Sequence, residues 1–518
     1  MGRRGQHQPL RLAAGKAVYG NGEARRAMLS NLAVPPEALV AAVWALVFAL
    51  WVGANVAWWR HYRRIGPGRV LPGLPVSVLL AVVATIVAGY GGTVVTLMAA
   101  KAAIRSRGEP PDLTDLRTAP SPPDQNAWVG LATASRMLTR STKLSGAYWP
   151  ERYLGDLGKP AEWDEAGLDA LRAELAQEAA ALAIARAAAR TPACQLPATL
   201  APVSVVADCP RVAALLEAAA LVHVAEGRWS AATTDVVEAL ALADHLEAPP
   251  ASVDAKRFQY GMYGAAVRPL EALLAQPRLS PADLARLQSA LARSAQVTGL
   301  QTALVNERAA WLTSRRALPK SVFLDSSILL RRTRPHVLGE GYAFEPSTEL
   351  LYLQRLEQLI ELAGRPYWQA GATAHQLVQR WEQQDRQFLA GERVLAFLGG
   401  GPTGFPVSPI AESFGGIPVA MQEHAWCVSW LQVAWLAVGV RRFEARTGAL
   451  PTRLRRLGEV DVRSVPVDPF TGCPFTYRVT DGGRAFMVYG TGPDQDDDGG
   501  VTSCVWGEGD VCLRGWVR

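Results

Sequence analysis

The spacing of apolar positions divides this chain. Residues Ala38–Trp59 and Val76–Ala100 are almost unbroken apolar runs. At ~1.5 Å per residue each can cross a hydrocarbon core of ~30 Å, which predicts two transmembrane helices. Trp58, Trp59 and Tyr62 stand at one end of the first run, where amphipathic rings favour the membrane interface. Beyond them, apolar residues recur at helical spacing over Glu162–Arg190 and Val212–Ala248. Ser280-Pro281-Ala-Asp283 opens a further helix: the serine can accept from the first turn, and proline suits the first helical position. The same spacing resumes up to Trp311, then over Ser347–Leu362 and Ala372–Leu398. A last helix carries Trp426, Trp430, Val433, Ala434, Ala437 and Val440 on one face and ends at Gly448. The period then falls to two. Phe475–Val479 and Arg484–Tyr489 flank Asp481-Gly482-Gly483, the pattern of a β-hairpin.

These elements predict a mainly α chain with two transmembrane helices, an α-helical repeat-like or bundle domain, and a small C-terminal α+β module of antiparallel hairpins. The expected divisions are a basic tail (1–36), a transmembrane hairpin (37–100), a partly Pro-rich linker (101–160), the helical domain (161–415) and the module (416–518). Gly399–Gly416 is a flexible connection and not a phosphate loop, since no Lys-Ser/Thr pair follows its glycines.

Charge adjusts this picture. The net charge of +6 is small for 518 residues. Much of it lies in the first hundred or so residues, which reads as membrane flanking charge rather than a nucleic-acid footprint. Arg60, Arg63, Arg64 and Arg69 crowd the short loop between the apolar runs and place it on the cytoplasmic side. The expected location is therefore a two-pass protein of a bacterial inner membrane, bilayer-bound, with its remaining chain on the outer, periplasmic side. That orientation is easiest if translation begins at Met28, which removes the basic tail. The six cysteines include no CxxC pair and so no zinc pattern. Cys194 with Cys209, and Cys504 with Cys512, are local pairs that suit an oxidising compartment, whereas Cys427 reads as a buried small hydrophobe.

Candidate chemistry is concentrated near the C-terminus. Asp494-x-Asp496-x-Asp498-Gly499 places carboxylates at alternate positions with glycine where the chain must turn. This is the first half of an oxygen-rich calcium loop, and Asp494, Asp496 and Asp498 are the expected ligands of one calcium ion. The closing Glu is missing, since Val505 holds that position, so backbone carbonyls, Asp497 or Glu508 would complete the shell. Asp468, in Asp468-Pro469-Phe470, is expected to cap its own turn. His223 and His245 have nothing that places both at one metal, His424 reads as ring packing, and Asn306-Glu307-Arg308 as a buried polar group. There is no HExxH, no GxSxG and no dinucleotide glycine fingerprint.

The end of the chain resembles the C-terminal part of the major pseudopilins of type II secretion systems. The matching residues are Gly448, Pro451, Thr452, Leu454, Leu457, Asp468, Pro469, Gly472, Tyr477, Tyr489, Gly492, Asp494 and Gly499. The resemblance covers about residues 430–500 and implies calcium in the acidic loop. The same block resembles the ends of large uncharacterised bacterial membrane-associated proteins that follow Ala/Leu-rich helices. Gly227-Arg-Trp229 with Ala232, Val236, Ala239, Leu240 and Leu242 resembles the second half of a tetratricopeptide repeat. Together these imply a membrane-anchored scaffold that binds other proteins in envelope assembly or secretion. The alternative is a membrane-bound hydrolase whose site no motif reveals.

Overall fold

The computed structural model describes residues 52–53, 56, 60, 63, 91–110, 121–138, 165–196, 203–247, 251–276, 279–317, 346–397, 414–460, 462, 464–502 and 509–516. They fall into two units, one of residues 1–103 and 344–350, the other of 104–343 and 351–518.

The first unit corrects the membrane expectation. Among the described residues no helix is long and apolar enough to cross a membrane. The two-span fold class and the inner-membrane location both fail on that finding. Of the run Ala38–Trp59 only Val52, Gly53 and Val56 are described; of Val76–Ala100, residues 91–100 are, and the rest lie outside the described residues. The helix over 91–106 does not stop where the apolar run does. It continues through Lys101, whose ammonium pairs with Glu349 at 2.7 Å. Run length alone cannot reveal that a helix continues into charged turns.

The second unit is mainly helical. Its elements are α1 (Ala127–Met137), α2 (Glu165–Gln177), α3 (Ala179–Arg190), α4 (Val203–Ala225), α5 (Trp229–His245), α6 (Val253–Val267), α7 (Pro269–Leu274), α8 (Pro281–Ser294), α9 (Leu300–Ala317), α10 (Pro346–Ala363, whose first turns belong to the other unit), α11 (Tyr367–Phe397) and α12 (Gly416–Thr447). Strands β1 (Thr476–Thr480), β2 (Ala485–Gly490) and β3 (Val511–Trp516) follow. Helix α1 lies inside the stretch expected to be linker. The Asn126 side chain caps it by accepting from the Trp128 N–H, and Trp128, Leu131, Ala132 and Ser135 bury one face. The expected Ser280 cap is present, accepting from Asp283 N–H at 3.1 Å.

Two helices are buried on nearly all sides. In α4 the chain from Arg211 to Val222 is buried without a break, and its neighbours are α1, α5 and α6. In α12 eighteen residues are buried, from Ile417 to Phe443, so it has no single apolar face. The reason is its position: α6 and α8 cover one side, while β2 and β3 lie on another. Trp426 and Trp430 meet edge to face, 6.0 Å apart, at its partly covered margin. Gly448 ends the helix in the left-handed conformation, φ 77°.

The α4–α5 turn carries the repeat-like residues. Gly227 has φ 72°, and Arg228 N–H reaches back to the His223 carbonyl at 2.8 Å, closing a Schellman-type end. Trp229 is only half-buried against the core. The sheet is antiparallel in the order β1-β2-β3, with Tyr477 opposite Val488 and Val488 opposite Leu513. The hairpin turn over Asp481–Gly483 joins β1 to β2. The cysteine expectation fails: Cys194, Cys209 and Cys512 are free thiols, and Cys504 lies outside the described residues. Burial pushes the Cys194 thiol up to about 12 and Cys209 higher still.

Candidate functional site

The acidic turn after β2 is shaped by glycines before it is shaped by carboxylates. Gly492 has φ 68°, and a Cβ there would sit 2.1 Å from the Gly509 carbonyl oxygen. At Gly500, φ 86°, a Cβ would sit 2.3 Å from the Met487 sulfur. Between these close approaches the chain loops outward, with Asp494, Asp496, Asp497 and Asp498 exposed.

The structure does not bring Asp494, Asp496 and Asp498 to one point. Asp494 is a backbone pin: its Oδ2 accepts the Gly509 N–H at 2.6 Å and its Oδ1 the Asp496 N–H at 3.4 Å. Asp497 accepts from Gly499 N–H at 3.0 Å and lies 3.7 Å from the Arg478 guanidinium. Among the described residues, no three His, Cys, Asp or Glu groups are arranged to hold a metal ion.

A carboxylate that the sequence reading missed stands behind the turn. Asp510, just before β3, is 3% exposed. Its Oδ2 accepts the Gly500 N–H at 2.6 Å, and its Oδ1 is buried and makes no hydrogen bond of ordinary geometry. Burial raises its pKa, the Gly500 and Asp498 backbone N–H groups oppose the rise, and the charges of Asp497 and Asp498 add to it. Such a buried acceptor costs about 1–3 kcal/mol when left without a donor or cation. The donor set is all oxygen, as a hard divalent cation prefers. The residues thus fit calcium in chemistry, with Asp510 at the base and Asp497 and Asp498 nearby; Asp494 holds the backbone. No spacing rule pointed to Asp510, because it lies beyond the loop and is brought back to it by the Thr502–Gly509 bridge and the Asp510 N–H to Val501 carbonyl bond.

Asp468 does cap its turn. Its Oδ1 accepts the Phe470 N–H at 2.9 Å. Its Oδ2 accepts the N–H and hydroxyl of Thr491 at 2.9 and 3.1 Å, so it also fixes the chain where the acidic turn begins. The turn is held against α11: Trp368 N–H donates to the Pro469 carbonyl at 3.1 Å, and Gly472 leaves room for the Trp368 ring.

A second polar group lies between α6 and α12. Lys256 is almost fully buried, with its ammonium 2.5 Å from Glu247 and 3.2 Å from the Thr298 hydroxyl. Burial lowers its pKa, and Glu247 opposes that shift. His424 packs its ring on Tyr260, 5.5 Å between centroids, and burial holds it down to about 4, so it is neutral at physiological pH. Burial raises the Cys427 thiol. His223 pairs with Asp235 at 2.7 Å, while His245 Nε2 lies 3.1 Å from the Ala188 carbonyl; the two do not share a site.

No family model, no curated protein and no solved structure matches the chain.

Proposed function

We propose that this chain is a helical scaffold that binds other proteins, closed at its C-terminal end by a pseudopilin-like module that calcium stabilises. The observation that carries the calcium part is the buried Asp510 carboxylate, whose Oδ1 makes no hydrogen bond of ordinary geometry, beside a turn of exposed aspartates. A cation at this point would offset the negative charge of Asp510 and draw Asp496 or Asp498 inward. The layered helices α1 and α3 to α6, joined by the Gly227 turn, support the scaffold part, since helical hairpins stacked side by side expose long surfaces. The polar group between α6 and α12 does not favour a hydrolase: Lys256 is engaged by Glu247 and Thr298, and Cys427 is held as a thiol.

Calorimetry and thermal melting of the full chain, with chelator or with millimolar calcium, test the metal. Heat and an upward melting shift are expected for the wild type. Asp510→Asn should abolish both, and Asp496→Asn should weaken both. An unchanged melting curve in calcium would sink the site. Crosslinking of the full chain, with and without chelator, tests the scaffold: discrete protein partners support it, and their absence in both conditions refutes it.

A further inference from the structure

Residues 441–460 cover the end of α12 and the 3₁₀ turn Leu454–Val460. They hold six arginines and no lysine against two glutamates, in a chain whose whole net charge is only +6. The turn is fastened from inside: Leu454, Leu457 and Val460 are buried, and the Arg442 guanidinium donates to the Val460 carbonyl at 3.2 Å. With its apolar side spent on the core, the turn leaves Arg453, Arg455 and Arg456 exposed, and Arg446 in the last turn of α12 is exposed too. Arg456 lies over the Phe443 ring, 5.3 Å from its centroid, which joins turn to helix. Glu444 is spent on the buried Arg441 at 3.0 Å. Among the described residues, neither Arg453 nor Arg455 has a hydrogen-bond or ion-pair partner.

This ridge offers no apolar anchor. Among the described residues every large exposed apolar side chain lies outside 441–460, and Phe443 is 3% exposed. A bilayer surface is held by charge together with inserted apolar groups, and a single nucleic-acid strand by charge together with exposed rings, so the ridge fits neither. It fits carboxylates, which a guanidinium meets with paired hydrogen bonds. The same chain exposes that complement. Asp496 and Asp498 point from the turn after β2 into solvent, and among the described residues neither carboxylate has a partner. Asp494 and Asp497, engaged within the turn, add to its negative field. One residue separates Arg453 from Arg455, and one separates Asp496 from Asp498, so each guanidinium can take one carboxylate. Within one chain no ion pair joins the two surfaces among the described residues.

We propose that the Arg453–Arg455 ridge of one copy binds the Asp496–Asp498 turn of a second copy of this chain. The contact goes beyond the scaffold reading and needs no calcium; a cation that drew Asp496 or Asp498 inward would compete with it. Used about a two-fold axis, it occurs twice in a dimer, each copy giving its ridge and its turn.

Sedimentation of the full chain, with chelator present, tests it. The wild type should self-associate at ~0.01 M salt, where the screening length is ~30 Å, and its dissociation constant should rise about tenfold at ~0.15 M, where that length is ~8 Å. Arg453→Glu/Arg455→Glu and Asp496→Lys/Asp498→Lys should each weaken association at low salt at least about tenfold. Mixing the two variants should restore it, because the reversed ridge then meets the reversed turn while the native ridge meets the native turn. A wild type that stays monomeric at low salt, a reversal that leaves association unchanged, or a mixture that fails to associate would each overturn the contact. Binding of anionic vesicles or a single-stranded oligonucleotide at the ridge by a chain that remains monomeric would overturn it as well. Association in chelator by a chain that binds no calcium supports the contact and refutes only the metal.

Discussion

Replacing Asp468 with Asn changes one oxygen to nitrogen at a point where four donors converge. The carboxylate is 2% exposed and accepts from Phe470 N–H, Thr491 N–H, the Thr491 hydroxyl and, at 3.5 Å, the Thr471 hydroxyl. An amide can keep its oxygen on Phe470 only by facing its NH₂ towards the Thr491 N–H, so donor meets donor. The Thr491 N–H bond is lost and leaves donor facing donor, whereas the Thr491 hydroxyl can turn to accept from the amide, so we expect about 2 kcal/mol. Thr491→Ala removes the hydroxyl bond alone and should cost about 1 kcal/mol. Denaturant unfolding of the full chain gives the magnitude, and hydrogen exchange at Phe470 and Thr491 shows where it is lost. If Asp468→Asn leaves the Thr491 amide as protected as in the wild type, the convergence is not what holds the turn.

Two further outcomes follow from burial and pairing. Trp229→Ala should cost about 2 kcal/mol in denaturant unfolding, because the ring is half-buried and less surface returns to water than for a core tryptophan. Arg308→Met should cost about 2–3 kcal/mol by the same measurement, less than a wholly stranded buried pair, because Arg107 still reaches Glu109 and Glu357 at 2.8 Å each.

Local signals in the sequence located local structure. Ser280-Pro281 marked the start of α8, Gly448 the end of α12, and Asp481-Gly482-Gly483 the β1–β2 turn. What the sequence hid depends on partners far along the chain. Arg257 meets Glu423 across 166 positions, and Glu307 meets Val253 across 54. Neither pairing has a periodic signature. For the same reason α12 reads as one-faced: the tryptophans show one side, but the sheet that covers another is made of residues still to come. The acidic turn was legible as a cluster of carboxylates, while the roles within it were not. Asp494 spends its oxygens on backbone, and Asp510 is the buried carboxylate behind the turn. The apolar runs before residue 100 show the opposite error, since length and hydropathy carry no information about what a helix does in its next turn.

The position of α12 also sets an order of assembly during synthesis. Its slot is lined by α6 and α8, which leave the ribosome more than a hundred residues earlier. Helix α5 already packs on α6 and α8, but until α12 arrives the sides of both that it will cover stay open. The nascent chain therefore carries an open apolar trough through the making of α9, α10 and α11, a condition that invites chaperone capture or mispairing between neighbouring chains. Only when β2 and β3 emerge can both sides of α12 be sealed, so a ribosome that stalls between α8 and α12 leaves a body without its central beam.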